Sequence, residues 1–127
     1  MLKDLTKKGK HLYRNYFTKA DRILKRCQFL ELSKCGKKIN NEYFTVIFAK
    51  NYHKNCRFGI TVSKKVGKAA KRNRIKRFSR EFFRLNRHSI KGNWDINIIV
   101  KKEVLLLEHA EVRTTLDKLF NEISNNY

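Results

Sequence analysis

The sequence predicts an α+β fold arranged as one layered sandwich, and three observations carry that prediction. Three segments alternate side chains with the two-residue period of a strand. Two longer segments repeat apolar residues with the 3.6-residue period of a helix. The order helix, strands, helix, strand, helix suits helices packed on a single sheet. At 127 residues the chain fits one domain, and its 41% hydrophobic content, with nine Phe and five Tyr, is enough for a modest core.

Taken in order, residues 1 to about 24 form a basic lead-in in which Leu12, Tyr13, Tyr16 and Phe17 fall at helical spacing. It is either a loosely packed arm or a docked helix. Arg26 to Lys34 reads as a short helix with Phe29, Leu30 and Leu32 as its apolar content, and Gly36 stands where a left-handed cap would end it. Ile39 to Asn41 is a candidate short strand. Tyr43 to Lys50 and Arg57 to Ser63 are strands, and the turn formers of Asn51 to Asn55 between them suggest a hairpin. Trp94 to Val100 places Trp94, Ile96, Ile98 and Val100 on one face. In the last helix, about Glu108 to Ile123, Val112, Leu116, Leu119, Phe120 and Ile123 form a stripe suited to covering that sheet face.

The formal charge of +20 and pI near 10.2 repel the folded chain from itself, so a polyanion is the expected partner. Nucleic acid leads, and an anionic membrane surface is the competitor. No apolar run approaches the ~20 residues that span a bilayer, and the first residues lack the apolar core of a signal peptide, so the expected location is cytoplasmic. Cys27, Cys35 and Cys56 are odd in number and contain no Cys-x-x-Cys pair. They read as reduced, buried structural thiols with no disulfide partner and no zinc site.

The charge concentrates between Lys64 and Arg87, where eleven Lys and Arg face one acid, Glu81. On a helix of ~100° per residue from Ala69 to Arg87, Ile75, Phe78, Phe82 and Leu85 share a sector of about 80° that would anchor on the core. Arg72, Asn73, Lys76, Arg77, Arg80, Arg84 and Arg87 share another of about 140°. Phe83 projects among these cations and packs on a loop or meets the ligand. Like charges four residues apart destabilise an isolated helix by a few tenths of a kcal/mol each; an anionic ligand would reverse that. Arginine forks suit phosphate. Asn73 is placed to reach a ribose, a base edge or a hydrated metal ion, or else is a solvated filler. The turn at Gly67 leaves backbone N–H groups near the helix start, where phosphate can bind.

Arg72-Asn73-Arg74, followed by Ile75-Lys76-Arg77 and Arg80 and preceded by Ser63-Lys64-Lys65, resembles the signature of the protein subunit of bacterial ribonuclease P. Weaker agreement runs through Phe17, Arg22, Leu24, Phe29, Gly36 and Phe44 to the strand Trp94 to Val100 and the last helix, covering about residues 17 to 123. The resemblance implies an αβββαβα sandwich with a four-stranded sheet and a left-handed β-α-β crossover, against the usual hand. It implies that an RNA subunit performs the hydrolysis with metal ions, Mg²⁺ being expected for the holoenzyme and no cofactor for the protein alone. The protein would bind that RNA and the 5′ leader of precursor tRNA, promoting 5′ maturation. Residues 17–127 would be the RNA-binding domain, and residues 1–16 a basic arm of no assigned role.

Carried onto this chain, the resemblance makes Lys65, Arg72, Asn73, Arg74, Lys76, Arg77 and Arg80 RNA contacts, and the charge pattern adds Lys64 and Arg84. Phe29 would line the leader cleft between the first helix and the mixed face of the sheet. Ser33 stands where many members have a second aromatic and Ile47 where some have Tyr, which thins the expected stacking. The eleven acids and four histidines are scattered without motif spacing, so no catalytic residue is expected in the protein and its metal sites are left unassigned. On charge alone, the alternative is a non-enzymatic RNA chaperone or a ribosome-associated RNA-binding protein.

Overall fold

Strand β4 (Trp94–Val100) organises the molecule: it lies inside a four-stranded sheet of order β1-β2-β4-β3, with β1 at Lys37–Asn40, β2 at Phe44–Lys50 and β3 at Arg57–Val62. The structure is a computed structural model that describes residues 21–23, 25–51 and 56–126. The basic arm 1–16, Phe17, Leu24 and most of the turn before β3 lie outside the described residues. Helix α1 (Arg26–Cys35) packs on the mixed face of the sheet, while α2 (Ala69–Asn86) and α3 (His109–Ser124) bring their apolar residues to the other.

β1 and β2 are antiparallel and joined through Asn41, whose Oδ1 accepts from the N–H groups of Tyr43 and Phe44, each at 2.8 Å. The Lys101 ammonium closes this turn by donating to Asn40 Oδ1 and Asn41 O, both at 2.6 Å. The hairpin is therefore β1-β2, and the one expected between the strands at 43–50 and 57–63 does not form. β4 inserts between them, antiparallel to β2 and parallel to β3. The physical reason lies in β4 itself. Ile96, Asn97 and Ile98 are buried in succession, and such a strand needs a neighbour on each side and a cover on each face. β3, with Arg57, Gly59 and Thr61 along one face, tolerates the outer position. Joining parallel neighbours requires a long crossover, which α2 supplies.

The main core lies between the sheet and the α2/α3 layer. Phe44, Val46, Phe48, Ile96 and Ile98 from the sheet meet Leu116, Leu119, Phe120 and Ile123 of α3, so the stripe expected on the last helix is the buried one. Under α1 a smaller cluster joins Ile23, Leu32 and Ile47, whereas Leu30 points outward.

Gly36 differs from expectation: its φ of −80° and ψ of 156° are extended, not left-handed. Glycine is required there by space, because a Cβ would stand 2.6 Å from Leu32 O and 2.7 Å from Ile47 Cγ2. The chain enters β1 directly after this residue.

All three cysteines are free, but only Cys56 is buried. Burial pushes its thiol pKa up, and Sγ donates to Gly92 O at 3.4 Å, so it stays neutral and inert. Cys27 and Cys35 are exposed on α1, which corrects the expectation that all three are interior.

Candidate nucleic-acid interface

The interface is built on α2, and the first fact about it is which side faces inward. Ser79, Phe82 and Phe83 are its buried residues. Phe83 is fully enclosed, stacked on Phe58 with ring centroids 4.7 Å apart and planes at 18°. Leu85 is 56% exposed. The inward face is thus rotated by roughly 70° from the one the apolar spacing selects. Phe82 is common to both, Ile75 and Phe78 become half-buried flanks, and Leu85 is not an anchor.

The rotation distributes the cations over three surfaces. Asn73 and Arg77 stand exposed on the outer crest, beside an ion pair of Arg84 with Glu81. Arg72, Lys76 and Arg80 are half-buried on the flank toward β3. The Arg72 guanidinium donates to Gly67 O at 3.3 Å and so braces the turn that starts the helix. Gly67 has φ 158° and ψ −170°, a region open chiefly to glycine. Arg74 lies on the opposite flank, toward α3, with Lys71. Lys64 and Lys65 extend the basic surface from a short 3₁₀ turn, Lys64–Val66, pinned by buried Val66.

Arg87 leaves the cationic set altogether. Its guanidinium is 3.0 Å from Asp21 Oδ2, with side-chain exposures of 10% and 4%. This buried pair ties the segment before α1 to the end of α2. The Ile23 N–H also donates to Phe58 O at 3.0 Å, extending the sheet beyond β3.

These ties place Arg22 beside Arg80. The two arginines, with Phe29, Ile23, Gly59 and Ile60, line a cleft of about 100 Å³ between α1, β3 and α2. Burial first, and then the charge of Arg22, lower the pKa of Arg80; it still remains charged at neutral pH. Two guanidiniums brought to one cleft make it attractive to an anion. The ring of Phe29 lies over Gly59, where a Cβ would meet Phe29 Cε1 at 2.6 Å. We expect Gly59→Ala to push this ring aside and weaken binding of a single-stranded oligonucleotide about five-fold or more, within the range of one base-stacking contact. Fluorescence anisotropy with a labelled pentanucleotide would measure it.

Of the residues assigned to the leader cleft, Phe29 alone lines this opening. Ser33 is exposed on α1, and Ile47 is closed off beneath α1 at 3% exposure. Arg22 and the Asp21–Arg87 tie were not anticipated as parts of the site. The only local signal was Asp21, one of two acids in a mostly basic lead-in, and its partner is distant in sequence. Across the sheet, Asp95 accepts from Arg57 at 2.8 and 2.7 Å, which raises the pKa of Arg57 through that hydrogen bond and holds both groups.

An α+β sandwich that carries arginines on three sides of one helix, with an aromatic ring set in a cationic cleft, defines a basic RNA-binding protein. A family model described as Ribonuclease P matches residues 17–124. The Ribonuclease P protein component of Desulfosudis oleivorans is 48% identical over 111 residues, covering 87% of this chain and 92% of that one. Its counterpart in Thermotoga maritima is 42% identical over 106 residues, covering 83% and 91%. Among solved structures, the RNase P protein from Thermotoga maritima matches with a TM-score of 0.74 at 40% identity, covering 80% of this chain and 96% of that one. A Staphylococcus aureus RNase P protein matches with a TM-score of 0.76 at 33% identity, covering 81% and 94%. The chain belongs to the ribonuclease P protein family.

Proposed function

We propose that this protein docks the catalytic RNA subunit of ribonuclease P on the outer face of α2 and guides the 5′ leader of precursor tRNA through the cleft beside Phe29. It promotes endonucleolytic 5′ maturation without supplying catalytic side chains. The observation that carries this reading is the division of one helix between a buried apolar face and an outer surface where Asn73 and Arg77 stand exposed beside the Arg84–Glu81 pair. The leader cleft follows from the pairing of Arg22 with Arg80 around an aromatic ring, a combination suited to backbone and base of a single strand.

The chemistry is assigned to RNA. Asp21, Asp95 and Glu81 are each held by an arginine. Among the described residues no group of three or more His, Cys, Asp or Glu could hold a metal ion. In this reading the Mg²⁺ expected of the holoenzyme is bound by phosphate oxygens, and the protein's cations lower the repulsion between two RNA molecules. Among the described residues no helix is long and apolar enough to cross a membrane.

The test is reconstitution with the cognate RNA subunit at near-physiological Mg²⁺. A gain in precursor-tRNA cleavage is the expected result, and its absence overturns the proposal. Arg77→Ala is expected to weaken RNA-subunit affinity about ten-fold, the scale of one charge-assisted hydrogen bond, with thermal stability nearly unchanged because its side chain is exposed. A general RNA chaperone would instead bind precursor and mature tRNA alike when the RNA subunit is present, and competition between the two distinguishes these readings.

A further inference from the structure

A second groove runs along the flank of α2 that faces α3, on the side away from the leader cleft. Its floor is apolar, made by Ile75 and Phe78 of α2, Val104 of the turn after β4, and Val112 of α3. Its rim is cationic, with Lys71 and Arg74 on one side and His109 near the opposite wall. His109 packs edge-on against Phe78 with ring centroids 5.1 Å apart, so the groove ends in an aromatic corner. No carboxylate is among its described lining residues. The volume is about 240 Å³, below the ~300–1,000 Å³ typical of pockets that bury drug-sized ligands, and suited to one planar ring system.

We propose that this groove is a binding site for a single unstacked RNA nucleotide, with the base against Phe78, Val104 and Val112 and its phosphate on Lys71 and Arg74. The choice of occupant follows from the combination of surfaces. Free phosphate would use the rim and leave the floor exposed, and an apolar peptide would use the floor and leave two cations without a partner. A nucleotide uses both, with its base on the apolar floor and its phosphate at the cationic rim. The site rests on the reading that the protein binds RNA, and it adds a second contact to the outer crest of α2. Arg74 is thereby separated in role from Arg72, which braces its own turn on the other flank.

The test uses the full chain with labelled valine and leucine methyl groups, titrated by NMR with pentauridylate, pentaadenylate and inorganic polyphosphate. Val104 and Val112 methyl signals are expected to shift with the oligonucleotides and not with polyphosphate, while the backbone amide of Arg77 shifts with all three. Val112→Phe, which fills the groove, is expected to remove the Val104 shift and weaken pentaadenylate binding about ten-fold, on the scale of one stacked base. Equal methyl shifts with polyphosphate would show charge alone at work and overturn the proposal. So would oligonucleotide binding that moves Arg77 but neither valine, or stronger methyl shifts with an acidic amphipathic peptide than with either oligonucleotide. These outcomes are read on wild-type protein, so they stand whether or not Val112→Phe folds. Failure of the broader proposal would be seen separately, as no gain in cleavage on reconstitution.

Discussion

Phe83→Ala is expected to destabilise the protein by ~3–5 kcal/mol, a large part of the ~5–15 kcal/mol that holds a typical domain. The ring is fully buried between β3 and α3, stacked on Phe58 and edge-on to Phe120 at 6.3 Å. Removing it opens a cavity where the α2 crossover, the outer strand and the last helix meet, and those elements cannot all close inward together. Leu85→Ala on the same helix is expected to change stability by less than ~0.5 kcal/mol, because its side chain is exposed. Urea denaturation of the two variants measures both. If Leu85→Ala proved the costly change and Phe83→Ala the mild one, α2 would be turned by most of a quadrant from the orientation described here.

Asp21→Ala is expected to cost a further ~3–5 kcal/mol, because it leaves the Arg87 guanidinium buried without its carboxylate. Its effect should exceed that of Arg57→Ala, whose ion pair with Asp95 is more exposed. Replacing both members, as Asp21→Leu with Arg87→Met, should recover most of the loss, since two apolar side chains leave no stranded charge. A double-mutant cycle by urea denaturation checks this, and additive losses would mean that the pair is not coupled. Arg22 depends on the same tie, so Asp21→Ala should also weaken oligonucleotide binding in the Phe29 cleft.

Several features were legible locally. The alternation of β2 and β4 and the stripe from Val112 to Ile123 each follow from a period within one segment, and each lies where the period places it. The Arg-Asn-Arg run pointed to a polyanion because so many like charges on one helix are unfavourable without a ligand. The β2-β3 hairpin was misjudged for a different reason. Turn-forming residues show that the chain reverses, but not whether another strand enters between the two arms. Ile47 looked available on the mixed face, yet α1 covers it, since Gly36 lets the end of that helix come close.

The sequence by itself determined the elements, the excess charge and the helix that carries most of it, because these depend on neighbours within a few residues. Only the tertiary structure decided which face of α2 turns inward, since that depends on Phe58 and Phe120 being in place to receive Phe83. It also decided that Arg87 is withdrawn from the surface by Asp21, and that Arg22 joins Arg80 across the cleft. The final burial and charge pairing on α2 are settled by contacts between distant segments, which projection of that helix alone does not include.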